Sequence, residues 1–329
     1  MDLLSHGLLP YLLGNFFKRR KEEITALILG GIAPDFDVFL LWINYLYPTP
    51  YLITHRGLTH SLFFGFFAGM IVLYLASRNR VKTIVRKYVD FEPVINFRTV
   101  MFAYAGVIIH LFLDYSTTRG VPFFYPFQAS RYSAEVFFYT DIYLTILSLV
   151  IIIILYKKPL QTRNTTKFLV VFLLAFAVLG GLRIAEKNSA EQFFRGTNLE
   201  AYPTMNPFEW YVLGEDKDKI RIYEYNGLRQ SSMYNETVLR MNIVSSGENL
   251  DAALDAAGGL PQVWMFKWRA YAVAINASSH DGVWYLDYYD PMQRAMIRGA
   301  PSAFFMRINA PIRVKVEAGV AVLLERNAG

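Results

Sequence analysis

Long apolar runs place the first limit on what this chain can fold into. Residues 3–17, 24–47, 58–77, 99–118, 136–156 and 166–184 consist mainly of Leu, Ile, Val, Phe and Ala. Several approach the ~20 residues that a helix needs to cross hydrocarbon. Only helices and closed barrels satisfy their backbone groups inside lipid, and runs of this length read as helices. With 54% hydrophobic and 18% charged residues, the chain is too apolar for disorder and unusually apolar for a soluble domain. The expectation is six crossings, the first short enough to be a re-entrant or partial span.

Basic residues sit between the runs. Lys18, Arg19, Arg20 and Lys21 follow the first; Arg78, Arg80, Lys82, Arg86, Lys87 and Arg98 separate the third from the fourth; Lys157, Lys158 and Arg163 separate the fifth from the sixth. Such loops face the cytoplasm. Connections 48–57 and 119–135 hold little beyond Arg56, Arg119 and Arg131, so they and both termini are expected outside. Topology accounts for the net charge of +6, and no nucleic-acid partner is expected.

Near residue 188 the pattern changes to short strand-like runs at 208–213, 220–225, 263–275, 283–289 and 312–324. The predicted architecture is an α-helical membrane bundle of about six helices over residues 1–187, followed by a β-rich extracytoplasmic domain over 188–329. The sequence leaves the partner of that second domain open.

Four of the five histidines precede residue 111, each beside an apolar run, where ionisable groups are costly. His110 and Asp114 are four apart in a helical run, so both project from one face, as two ligands of one ion would. A core histidine hydrogen-bonded to an aspartate has the same spacing. His55 and His60, five apart around Arg56-Gly57-Leu58-Thr59, would not share a helix face, which puts His55 in a loop and His60 in the first turn of the next helix. Together they read as two ligands or as a polar loop at headgroup level. Asp35 and Asp37 follow Gly30, Gly31 and Pro34, which predict a break that can turn both carboxylates inward. The alternative is a solvent-facing pair between two half-helices.

His6 reads as a further ligand or an interfacial histidine. Asp141, placed in the first turns of the fifth run, needs a partner among its apolar neighbours. Glu135 reads as interfacial, and His280, in Ser279-His280-Asp281-Gly282, as a turn between strands. Without cysteine, a transition-metal site must use imidazole nitrogens and carboxylate oxygens, which suits zinc, with manganese as the alternative. Eight candidates exceed what one tetrahedral ion needs, so either two ions bind or some residues orient the ligands.

Gly31-Ile32-Ala33-Pro34-Asp35-Phe36-Asp37, His55-Arg56-Gly57-Leu58-Thr59-His60-Ser61 and His110-Leu111-Phe112-Leu113-Asp114 resemble the YdjM-type family of membrane-bound metal-dependent hydrolases, also described as LexA-binding, inner membrane-associated proteins. His6, Thr140-Asp141-Ile142-Tyr143 and the segment Pro203-Thr204-Met205-Asn206-Pro207-Phe208-Glu209-Trp210 extend the resemblance over most of the chain. Thr117-Thr118-Arg119 departs from the pattern, where a turn richer in proline or tyrosine is expected. The resemblance implies a multipass inner-membrane hydrolase, distantly like zinc phospholipase C and P1 nuclease, acting on a small-molecule or lipid phosphoester among membrane lipids. His60, His110, Asp114 and Asp35 would hold an ion, and His6, His55, Asp37 and Asp141 would complete a second site or orient the first. Arg56 would contact phosphate, with Asp37 or Asp141 as the base. Two other readings fit the same residues: a non-catalytic scaffold with a structural metal, and an ion-coupled transporter relaying through Asp35, Asp37 and Asp141.

Overall fold

Apolar helices fill the first half of the chain. The structure, a computed structural model, describes residues 1–46, 52–157, 164–194, 196, 198–298 and 310–324. Lys158, Arg163 and the part of the 48–57 connection before residue 52 lie outside the described residues. The chain divides into two compact units, Met1–Tyr45 with Ile53–Ile184 and Leu46–Leu52 with Ala185–Gly329.

In the first unit, α1 (Leu3–Phe16) is capped by Asp2, whose carboxylate accepts the Ser5 N–H. Helix α2 (Lys21–Ile32) runs into a 3-10 stretch, Ala33–Leu40, and then α3 (Leu41–Leu46). The break expected at Gly30, Gly31 and Pro34 is therefore a change of helix type. Pro34 sits in the first turn of the 3-10 stretch, where its missing N–H costs nothing. A 3-10 turn at Leu58–His60 precedes α4 (Leu62–Ala76), capped by Ser61, and α5 (Asn79–Val85) leaves α4 at 78°. Helix α6 (Phe97–Tyr115) opens on a capping box of Asn96 and Thr99. Helices α7 (Ile142–Lys157) and α8 (Thr165–Phe193) follow.

Three helical runs, Lys21–Ile43, Phe97–Tyr115 and Thr165–Phe193, are long and apolar enough to cross a membrane, and the bent α4–α5 pair makes a fourth if counted as one span. Helices α1 and α7, with 14 and 16 residues, are about 21 and 24 Å long at ~1.5 Å per residue, short of a ~30 Å hydrocarbon core. The fifth run begins later than expected: Phe137 forms an isolated bridge to Thr117, and helix starts only at Ile142. Apolar side chains point outward as well as inward. Val170, Leu174 and Val178 on α8 are more than half exposed, which suits an apolar surrounding.

Helices α2 and α6 meet backbone to backbone. A Cβ at Gly106 would lie 2.1 Å from the Leu27 carbonyl oxygen, and one at Gly30 would lie 1.8 Å from that of Ala103. Only glycine permits this approach, the usual device of helix pairs in lipid. Ala26, Leu29, Leu73, Ala76 and Ala103 form the core beside it.

The second unit holds two sheets, antiparallel β1 (Leu199–Pro203), β2 (Glu209–Glu215), β3 (Lys219–Asn226) and β4 (Ser231–Leu239), and a second sheet in the order β5 (Met241–Ser245), β6 (Ala274–His280), β7 (Val283–Tyr289), β8 (Ile312–Glu317) and β9 (Val320–Leu324). Strands β5 and β6 are parallel, joined through α9 (Leu250–Gly258) and α10 (Pro261–Arg269). The expected strand at 263–275 is thus mostly helix. Pro261 opens α10 at a position where proline favours a helix start, and Val263 and Phe266, three apart, bury one helical face against Ile275, Leu286 and Val314. The run at 312–324 is two strands, turned at Ala318-Gly319 with positive φ. His280 ends β6 at the two-residue Asp281-Gly282 hairpin turn. Helix α11 (Pro291–Arg298) carries Met292, Ala295 and Met296 onto Tyr211, Leu213 and Ile222 of the first sheet.

Candidate metal centre

Four separate stretches of the first unit deliver imidazoles and carboxylates to one buried place: α1 with His6, the 3-10 stretch with Asp35 and Asp37, the 55–60 loop and turn with His55 and His60, and α6 with His110 and Asp114. Three overlapping groups have ligand atoms close enough to hold a metal ion: His6, His110 and Asp114; Asp35, His60 and His110; and Asp37, His55 and His60. The sequence candidates His6, Asp35, Asp37, His55, His60, His110 and Asp114 therefore meet, and Asp141 belongs to none of the groups.

The middle of the cluster is the tightest. His60 Nε2 and His110 Nε2 are 3.2 Å apart, and Asp114 Oδ2 lies 3.4 and 3.5 Å from them. On the same His60–His110 edge, Asp35 Oδ1 lies 3.5 and 3.7 Å away. Ligand atoms at ~2.0–2.1 Å from a tetrahedral ion are about 3.3–3.4 Å apart, so each triangle has the dimensions of a coordination face. His6 stacks on His110 with ring centroids 3.7 Å apart, and its Nε2 is 3.3 Å from Asp114 Oδ1.

Hydrogen bonds on the far sides of the rings fix which nitrogens face inward. His110 Nδ1 donates to the Gly31 carbonyl at 2.7 Å, which leaves Nε2 as the free lone pair. The glycine contact between α2 and α6 is what brings that carbonyl within reach. Asp37 does the same for His55, its Oδ1 accepting from Nδ1 at 2.8 Å, while His60 Nδ1 hydrogen-bonds with the Thr59 hydroxyl at 3.2 Å and lies 3.3 Å from Asp37 Oδ2. Asp37 also accepts the Arg56 backbone N–H at 3.2 Å and the Thr59 hydroxyl at 3.3 Å. With its oxygens engaged this way, Asp37 is placed to orient the rings beside it, and it also belongs to one of the three candidate ligand groups.

The donor set fits a cation. Asp114 Oδ2 and both ring nitrogens of His6 are buried without a hydrogen-bond partner, a costly state for polar atoms in an apolar bundle. The side chains bring together the carboxylates of Asp35, Asp37 and Asp114 against the guanidinium of Arg56. Even with the Met1 amino group, which contacts Asp114 Oδ1, the cluster carries excess negative charge when its imidazoles are neutral. A divalent ion would offset that charge and satisfy the orphaned atoms together. These buried histidines and aspartates can hold a metal ion.

Arg56 and Asp141 take other places than expected. Arg56 is buried, and four of its side-chain N–H groups are committed: Nη1 to Thr117 Oγ1 at 2.7 Å and the Thr118 carbonyl at 3.1 Å, Nη2 to Asp114 Oδ1 at 2.9 Å and the Tyr139 carbonyl at 3.2 Å. It lies over the Tyr139 ring at 3.9 Å. With both terminal nitrogens on protein acceptors, Arg56 holds Asp114 in place. Its φ of 61° is in the left-handed region, a strain that these bonds and the backbone bond to Asp37 sustain. The Thr117-Thr118 departure from the family pattern is its docking seat.

Asp141 precedes α7 rather than lying inside it. Its Oδ1 accepts the N–H groups of Tyr143 and Leu144 as a helix cap, and Oδ2 pairs with Arg183 Nη2 at 2.9 Å, both side chains fully buried. That commitment goes with its place outside the three candidate ligand groups. Arg183 was missed by sequence reasoning, although a lone arginine in the Gly181-Leu182-Arg183-Ile184 stretch of an apolar run signals a buried partner. Glu135, expected at an interface, is buried and accepts the Arg119 N–H at 2.9 Å.

No curated protein and no solved structure matches the chain. The family model described as YdjM inner membrane protein matches residues 1–189, more than half of the sequence, and its span contains every residue of the cluster. This chain belongs to the YdjM inner membrane protein family.

Proposed function

We propose that this chain is a membrane-embedded, metal-dependent hydrolase of a phosphoester. The observation that carries the reading is the meeting of His60 Nε2, His110 Nε2, Asp114 and Asp35 at separations of 3.2–3.7 Å, with the outer nitrogen of His110 tied to a backbone carbonyl. Imidazole and carboxylate without thiolate suit zinc, with manganese as the alternative. When bound, such an ion supplies Lewis acidity and lowers the pKa of a bound water toward ~7.

His60, His110, Asp114 and Asp35 are the ligands in this reading, and His6 shares Asp114 with them. Asp37 orients His55 and His60. His55 is the most exposed of the four N-terminal histidines, its side chain 19% exposed where those of His6, His60 and His110 are at 0%. With Nδ1 held by Asp37, His55 presents Nε2 as the proton carrier. In hydrolysis the water oxygen bonds to phosphorus and the bond from phosphorus to the leaving alcohol oxygen breaks. The proton given up by water passes through His55 to the departing oxygen. The charge bias of the loops supports an extracytoplasmic place for the centre and the second unit in this reading.

Elemental analysis of the purified protein, beside hydrolysis of bis(p-nitrophenyl) phosphate, tests the reading. His110→Ala with Asp114→Ala should abolish both bound metal and turnover, and unchanged metal content in that double variant would eliminate the ligands named. The burial of His6, His60, His110 and Asp114 also favours a second reading, an ion that only braces the bundle. Stoichiometric metal without turnover of any phosphoester would select it.

A further inference from the structure

Asp37, which orients two of the histidines, is also part of the wall of a cavity of about 1730 Å³ in the first unit. Beside the centre the cavity is lined by Ala33, Phe36, Asp37, Leu58 and Thr59. From there it follows α4, taking in positions from Phe64 to Ala76, while α1 and α2 contribute Leu4, Leu8 and Leu29. Val81, Val85 and Tyr88 line it beyond the bend after α4. The stretch along α4 measures about 18 Å at ~1.5 Å per residue, close to the ~15 Å of one leaflet's hydrocarbon, taken as half of ~30 Å. One end touches the centre, the stretch along α4 is apolar, and the far end beyond the bend also carries Arg86, Lys87, Asp90 and Glu92.

On the hydrolase reading, we infer that the substrate is a membrane phospholipid whose acyl chain lies in this groove along α4, with its phosphoester at the Asp37 end. An acyl chain already in the bilayer gains little hydrophobic energy by entering an equally apolar groove. The groove therefore acts by position: it holds the ester at the cluster in one orientation, which is where a rate advantage arises. The charged far end, with Arg86, Lys87, Asp90 and Glu92, sets how long a chain fits. Small side chains at Ala33, Ala68 and Ala76 leave the width open.

The test uses the full chain in nanodiscs with phosphatidylglycerol bearing a diazirine at the methyl end of one acyl chain. Cross-links are mapped by mass spectrometry, and release of the lipid product is compared with hydrolysis of bis(p-nitrophenyl) phosphate. Cross-links should concentrate on Val72, Leu75 and Ala76. Ala68→Trp, which places an indole midway along the groove, should lower the ratio of lipid to soluble-diester hydrolysis by about tenfold or more. Val72→Phe serves the same purpose if that variant does not fold, as judged by metal content. Cross-links spread evenly over the outer face of α8, or an unchanged ratio, would overturn the inference. Concentrated cross-links with neither substrate hydrolysed would instead remove the hydrolase reading and, with it, the assignment of the bound lipid as substrate.

Discussion

Replacing Gly106 with alanine tests the link between helix packing and the metal centre. The new methyl would stand 2.1 Å from the Leu27 carbonyl oxygen and 2.7 Å from the Gly31 nitrogen, where ordinary contact starts at 3.4 Å. Both obstacles are backbone, so α2 must retreat from α6 by about 1.3 Å to reach that ordinary contact. A retreat of that size would take the His110–Gly31 hydrogen bond from 2.7 Å to about 4 Å, beyond any useful hydrogen-bond length. Two effects should follow: a stability loss of about 1–3 kcal/mol from overpacking, and a ~10–100-fold loss of metal affinity from the freed imidazole. Competition with a chromophoric chelator in detergent measures the affinity, and thermal unfolding measures the stability. Gly69→Ala is the control, since its methyl would meet the Val107 Cγ2 methyl at 3.1 Å, a side-chain atom able to shift. If Gly106→Ala binds zinc as tightly as the unmodified chain while Gly69→Ala behaves likewise, the Gly31 carbonyl does not tune the centre.

Three further outcomes follow from buried groups. Arg56→Lys keeps the charge but not the four-way fork, so it should unfold at a lower temperature, with a cost of about 1–3 kcal/mol for a buried acceptor left without its donor; a stable variant altered only in KM would return Arg56 to substrate binding. Arg183→Met leaves Asp141 buried and unpaired and should destabilise the helical unit, while adding Asp141→Asn should recover much of that loss; equal thermal stability of the single and double variants would refute the pairing. In the second unit, burial pushes the Tyr288 hydroxyl up to about 12, and that oxygen has no hydrogen-bond partner. An acid whose folded pKa exceeds its unfolded value of ~10 contributes stability that is complete below pH ~10 and is lost as pH rises toward 12. Tyr288→Phe should therefore be neutral or stabilising at pH 7 and flatten alkaline unfolding between those values, and an unchanged alkaline profile would argue against this burial effect.

Much of the centre was legible because helix geometry and membrane cost act on local sequence. The four-residue spacing of His110 and Asp114 put both on one face, and the Gly-Gly-Ile-Ala-Pro-Asp stretch marked where helix type changes. His55 falls in the loop as expected, whereas His60 lies in a short 3-10 turn just before the helix capped by Ser61 and not in that helix's first turn. What stayed hidden depends on partners far along the chain. Nothing local tells that Arg56 is claimed by Thr117, Asp114 and Tyr139, or that Asp141 answers Arg183 across two helices. The strand expected at 263–275 failed for a related reason: Val, Trp, Met and Phe suit a strand as well as a buried helix, and Pro261 was the deciding sign.

The scattering of the centre's contributors along the chain also fixes when it can come into being. His6 emerges from the ribosome long before Asp114, and the intervening helices must already be inserted and paired before the contributors can meet. On the metal-binding reading, capture of an ion therefore belongs to a late moment of biogenesis, after the sixth helix has docked against the second. Until then Asp35, Asp37 and Asp114 lack the imidazoles that surround them in the folded unit, so on that reading an incomplete bundle has no ion to gain.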